Sequence, residues 1–301
     1  MAVNELIVDF SNNRNFSKTL SHSSAISLLT QGKWASLFKA DGVEFESFRS
    51  YIFSDDASRI DWPASLRSNE LLVKEFVEYK QHNVFFVLDV SDSMLFTTTN
   101  QFKAEYGAEL VYSLASSAVQ AGDSVGLALF NDGLVSVIPP SQGLDAAEKF
   151  KQVLSDPSLY GGVKDFKKTV LQLEKVLPPN SIVVFVSDFF GLGDDWHNLF
   201  SLIRSKSFVS SIVLEDKRDK ELPPKGIFTL KNLSGSETIR INSKNFSKQY
   251  ALEAKNRSDS LVRFFNKYHI DCTLVTNGQS FDDVFKLFFD PKKSFMAVSQ
   301  E

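Results

Sequence analysis

Val84-Phe-Phe-Val-Leu-Asp89-Val-Ser91-Asp-Ser93 is the stretch whose reading decides the fold. Its apolar half is rich in strand formers and shows no polar alternation, the pattern of a strand buried on both faces. Such strands belong to parallel sheets covered by helices, whose ligands gather at the carboxyl ends of the strands. Asp89 stands at that end, followed by hydroxyls at Ser91 and Ser93. One carboxylate and two hydroxyls on a strand-end loop offer hard oxygen donors, suited to magnesium, calcium or manganese.

Working outward, the chain after Gln81 alternates strand and helix patterns. Strands are expected at Val84–Val90, Ser124–Phe130, Val135–Ile138, Ile182–Ser187, Val209–Leu214 and Cys272–Val275. Helices are expected at Phe102–Ala121, Leu144–Leu154, Phe166–Leu177, Trp196–Lys206, Phe246–Tyr268 and Phe281–Phe289. This alternation predicts a doubly wound α/β fold with a mainly parallel sheet. Asn131-Asp132-Gly133 has the chemistry of a tight hairpin, so one edge strand should run antiparallel. Phe228–Leu233 and Thr238–Ile241, joined by Ser234-Gly235-Ser236, predict a second small hairpin. Before residue 81 the pattern is less regular: a short helical period falls at Ser24–Leu29, and residues 41–79 are dense in charge and aromatics without clear periodicity. The expected organisation is an N-terminal segment, 1–80, docked on a sheet domain, 81–301.

Bulk properties exclude several classes. A net charge of -4 gives no sign of a nucleic-acid binder or a polybasic membrane anchor. No segment approaches the roughly 20 apolar residues of a bilayer span, and the amino terminus lacks the pattern of a signal peptide. One cysteine, Cys272, cannot form an internal disulfide and fits a reducing cytoplasm, the expected location. It lies in an apolar run and is expected to be a buried structural thiol. The 28 phenylalanines, many in pairs, predict an aromatic-rich core rather than an exposed binding stripe.

A second buried strand, Ile182–Ser187, also ends in an acid, Asp188. A glycine-rich turn, Gly161-Gly162-Val163-Lys164-Asp165, precedes the helix near Phe166. All three loops fall on one side of the sheet, so Asp89, Ser91, Ser93 and Asp188 are the candidate ligands of one divalent cation. Catalytic patterns are missing. A phosphohydrolase that begins with an aspartate after a central strand needs a second acid two residues on, where this chain has Ser91, and Asp92 should point away. There is no Gly-x-Ser-x-Gly elbow and no phosphate loop of the Walker type, and His22, His82, His197 and His269 are scattered.

Asp89-Val-Ser91-Asp-Ser93 with Asp188 resembles the metal-ion-dependent adhesion site of von Willebrand factor A domains. Upstream, Phe48-Arg-Ser-Tyr51-Ile-Phe-Ser-Asp55-Asp56-Ala-Ser-Arg59-Ile60-Asp61-Trp62, Ser65-Leu-Arg67 and Leu72-Val73-Lys74-Glu75-Phe76 resemble the signature of bacterial A-domain proteins in the domain-of-unknown-function family fifty-eight. The likeness spans about residues 40–290. It implies a von Willebrand factor A fold, and Asp89, Ser91, Ser93 and Asp188 as ligands of Mg2+, or of Mn2+ or Ca2+. It also implies a non-enzymatic, chaperone-like adaptor working with a MoxR-type AAA+ ATPase on a client protein. The chain departs from the pattern at Lys164, where relatives carry the threonine of a Thr-Asp pair. Two alternatives stay open: a metal-dependent phosphohydrolase, and a metal-free scaffold in which Lys164 replaces the cation. The acids and bases around Trp62, from Asp55 to Glu75, are expected to dock that segment rather than to catalyse.

Overall fold

The computed structural model describes residues 6–8, 10, 44–52, 56–77, 82–192, 196–223, 225–231 and 238–288. The chain divides into two compact units, one spanning 34–81 and the other formed by 1–33 with 82–301. In the smaller unit, β1 (Glu44–Ser50) pairs antiparallel with β2 (Leu72–Val77), and helix α1 (Trp62–Ser68) lies between them in sequence. These elements had no periodic signature, because caps and turns rather than an amphipathic stripe define them. Asp56 accepts from the Ser58 amide to start a 3-10 turn, and Asp61 accepts from the Ala64 amide to start α1. The Ser65 hydroxyl accepts from the Leu72 amide, tying α1 to β2.

The larger unit is built on a six-stranded sheet. Its strands are β3 (Asn83–Asp89), β4 (Ser124–Asn131), β5 (Gly133–Ser141), β6 (Ile182–Ser187), β7 (Phe208–Glu215) and β10 (Asp271–Thr276), in the order β10-β7-β6-β3-β4-β5. All neighbours run parallel except β4 and β5, which meet antiparallel across the Asn131–Gly133 turn. This is the doubly wound sheet with one antiparallel edge that the sequence predicts. β5 runs on through Pro139 and Pro140, beyond the expected Val135–Ile138, because an edge strand tolerates prolines. A separate hairpin joins β8 (Ile227–Lys231) and β9 (Thr238–Asn242), although its predicted Ser234–Ser236 turn lies outside the described residues. The predicted Ser24–Leu29 helix, Asp55 and Phe289 lie outside them too.

Helices cover both sheet faces. They are α2 (Lys103–Gln120), α3 (Leu144–Leu154), α4 (Phe166–Val176), α5 (Trp196–Arg204), α6 (Lys217–Lys220), α7 (Ser243–Lys267) and α8 (Phe281–Phe288). Of these seven helices, only the one-turn α6 was not expected from the sequence, being too short to show a period. The predicted phenylalanine core exists: Phe85, Phe130, Phe166, Phe185, Phe189, Phe200, Phe264 and Phe265 fill one face between the sheet and α4, α5 and α7. Phe200 is its hub, with ring centroids 5.1 Å from both Phe166 and Phe185 and 5.5 Å from Phe265. On the other face α2 lies so close that a Cβ at Gly107 would come within 3.0 Å of Leu88. A side chain there would require Leu88 to shift by a few tenths of an ångström. Cys272 is half-buried against the aromatic cluster rather than fully buried, because its strand is the sheet edge.

Candidate functional site

The strand order reverses between β3 and β6, the place where ligands bind in open parallel sheets. Leu88 lies opposite Val186, so the next residues, Asp89 and Ser187, are level with each other at the carboxyl ends. Asp89 is fully buried, and Ser91, Ser187 and Asp188 are nearly so. The expected set of Asp89, Ser91, Ser93 and Asp188 is therefore brought together. The Ser91 hydroxyl donates to Asp89 Oδ1 at 2.7 Å, Ser91 and Ser93 lie 3.3 Å apart, and Ser93 donates to Asp188 Oδ1 at 3.1 Å.

A third loop completes the site. Gly161 and Gly162 take φ values of 101° and 92°, which side chains rarely tolerate. That turn lets the Gly161 amide reach the Val90 carbonyl, while the Asp92 carboxylate accepts from the Gly162 amide at 2.8 Å. Asp92 thus faces the glycine loop, away from the Asp89 carboxylate, as alternation predicts. On the far side, the Asp165 amide donates to the Asn131 carbonyl, and its carboxylate caps α4 through the Lys168 amide. Pinned at both ends, the loop drives the Lys164 side chain inward. Its ammonium stands 2.5 Å from Asp89 Oδ2 and 2.9 Å from Asp188 Oδ1, and donates to the Ser187 hydroxyl at 3.4 Å. Thr169 offers no alternative ligand, because it is buried and its hydroxyl donates to the Asp165 carbonyl.

Two further charges escaped the sequence reading. Lys103, 1% exposed at its side chain, donates to Asp188 Oδ2 at 2.9 Å and to Asp219 Oδ2 at 3.0 Å. Lys103 opens α2, where the helix dipole disfavours a cation, so the two carboxylates must offset both burial and dipole. Asp219 belongs to α6, and its carboxylate also accepts from the Asp216 amide at 2.8 Å. A lysine 14 residues after Asp89 looks like any solvated residue at a helix start. Only the spacing Asp216-x-x-Asp219, a capping box, hinted at local order.

Burial opposes ionisation of Asp188, Lys164 and Lys103, and their partners outweigh it. Burial would raise the Asp188 carboxyl, but the ammonium groups of Lys164 and Lys103 and the Phe190 amide hold it well below the usual carboxylate range. Burial would lower Lys164, but Asp89 and Asp188 raise it above an ordinary lysine; Asp188 and Asp219 do the same for Lys103.

The expected ligand set for a divalent ion contains two acids, Asp89 and Asp188. The Lys164 ammonium lies between them, and among the described residues no group of three or more His, Cys, Asp or Glu side chains is placed to hold a metal. As the side chains stand, the donor set does not fit a divalent ion.

Residues 47–260 match the family described as protein of unknown function DUF58. The chain belongs to that family. Within it, the signature segment and the strand-end site fall in the matched region. The uncharacterized protein Rv1480 of Mycobacterium tuberculosis is 23% identical over 203 residues, covering 67% of this chain and 64% of that protein. The chain thus matches just under two thirds of that relative's length. Among solved structures, BatB of Bacteroides thetaiotaomicron is 15% identical at a TM-score of 0.44, covering 72% of this chain and 100% of that one. A von Willebrand factor type A protein of Catenulispora acidiphila is 9% identical at 0.36, covering 76% and 45%. With scores this low, the fold rests on the strand order and on the one antiparallel edge, which agree with the von Willebrand factor A-like architecture expected from the sequence. No helix among the described residues is long and apolar enough to cross a membrane.

Proposed function

We propose that this DUF58 chain is a non-enzymatic interaction module, an adaptor that works with a MoxR-type AAA+ ATPase on a client protein. The observation that carries the non-enzymatic part is the saturation of the strand-end acids. A carboxylate has about four acceptor sites. Asp89 receives the Ser91 amide and hydroxyl, the Ser187 hydroxyl and Lys164. Asp188 receives Ser93, the Phe190 amide, Lys164 and Lys103. Neither acid keeps a lone pair for a substrate proton or an attack on phosphorus, which disfavours the phosphohydrolase alternative.

The smaller unit supports the binding part. Trp62 and Leu66, one turn apart on α1, are 60% and 81% exposed, and Ile52 is 55% exposed. Exposed apolar side chains of this size suit a protein contact. The partner class comes from the family resemblance of the sequence. The test is capture of a MoxR-type ATPase by the tagged full chain, with Trp62→Ala/Leu66→Asp as control. The expected result is retention by the native chain and loss by the double variant with its fold intact. Metal-dependent phosphatase turnover abolished by Asp89→Ala would overturn the non-enzymatic reading.

A further inference from the structure

We infer that Lys164 is this protein's built-in cation: its ammonium takes the place of a divalent ion at the adhesion-type site and closes it to outside ligands. The inference goes beyond the adaptor role and needs no partner to be tested. Two strand-end loops carry acids and hydroxyls that converge on one point, and the glycine-rich loop brings Lys164 Nζ to that point. It bridges Asp89 at 2.5 Å and Asp188 at 2.9 Å, the two acids of the expected ligand set. An ammonium has three N–H donors. Here three acceptors meet them, since the Ser187 hydroxyl at 3.4 Å takes the third direction.

That count separates the arrangement from a metal site. A hard ion keeps water-filled positions that a partner's carboxylate can enter, whereas Lys164 keeps no donor for one. Its side chain is 5% exposed, and Lys103 seals the far oxygen of Asp188. The charges also come close to balance: Asp89, Asp188 and Asp219 against Lys164 and Lys103. Adding a divalent ion would place two more positive charges against ammonium groups already paired, and would have to expel Lys164 from burial. The network therefore links three loops, α2 and α6 without a dissociable component. Partner binding is accordingly expected to be indifferent to chelators and to divalent ions, and to use another face.

The deciding experiment titrates Mn2+ and Mg2+ into the full chain by calorimetry and follows the melting temperature, beside Lys164→Thr. The native chain is expected to give no saturable heat and no shift in melting temperature. Lys164→Thr, which supplies a hydroxyl and frees both acids, is expected to bind one ion. At ion concentrations a hundredfold above Kd it should gain about 5–10 °C. Saturable one-to-one binding by the native chain, lost in Asp89→Ala, would overturn the inference. So would a folded Lys164→Thr that takes no ion. If that variant does not fold, the native titration still decides between the two outcomes. Failure to capture an ATPase would count against the adaptor role and leave this result untouched.

Discussion

The strand-end site and the 34–81 unit both carry aspartates that a motif singled out, yet they use them in opposite ways. In the small unit Asp56 is exposed and Asp61 half-buried, and each accepts a backbone amide to begin a turn or helix. At the sheet, Asp89 and Asp188 are buried and held by lysines distant in sequence. The same carboxyl group caps the start of a turn or helix in one setting and ties distant loops together in the other. Burial makes the difference: an exposed cap contributes about 1 kcal/mol, whereas a buried charge stripped of its partner costs 3–5 kcal/mol.

The largest effect should follow from Asp188→Ala. It leaves Lys103 and Lys164 with one acid each, and should cost about 3–5 kcal/mol by urea denaturation, much of a typical 5–15 kcal/mol total. A loss below 1 kcal/mol would place the two regions on the same footing. Phe200→Ala, which empties the hub of the aromatic cluster, should cost a similar 3–5 kcal/mol without any pH dependence. It serves as the uncharged control.

The network's own pH signature is next in size. Asp188 is depressed in the folded chain, so its contribution is present above the unfolded carboxylate value near 4 and is lost as pH falls through the folded value. Lys164 and Lys103 are raised, so theirs is present below the unfolded lysine value near 10.4 and is lost as pH rises through the folded values. Melting temperature measured against pH should therefore be level from about 5 to 9 and fall on both sides, with the acid limb reduced in Asp188→Asn. A slope centred near neutrality would contradict the assignment.

How much of this was legible in the residues follows the same division. β3 and β6 announced themselves as unbroken apolar runs, and Asn131–Gly133 as the turn of the antiparallel edge. Asp89, Ser91, Ser93 and Asp188 were visible as strand-end residues, and Lys164 stood out against the family pattern. Lys103 and Asp219 were not visible. Their meaning arises only when the fold brings Lys103 against Asp188 and Asp219, 85 and 116 positions away, which no local pattern encodes. β1, α1 and β2 were missed for the converse reason: caps and a single hydroxyl bridge define them, with no hydrophobic period to read.

Smaller effects sharpen the contrast. Asp61→Ala should cost about 1 kcal/mol, seen as faster amide exchange in α1 with the sheet unaffected. Lys168→Ala removes a pair with Asp132 in which both side chains stand about half exposed or more, and should change stability by about 0–1 kcal/mol. Lys168 lies four residues from Lys164 and bears the same charge, so the pair isolates burial as the variable.

The most direct measurement is a crystal of the full chain grown or soaked in millimolar Mn2+ and examined for anomalous scattering at the strand ends. The account predicts no manganese peak between Asp89 and Asp188, with the Lys164 ammonium within hydrogen-bond distance of both. A manganese ion bound by Asp89 and Ser91, with Lys164 turned out to solvent, would contradict it.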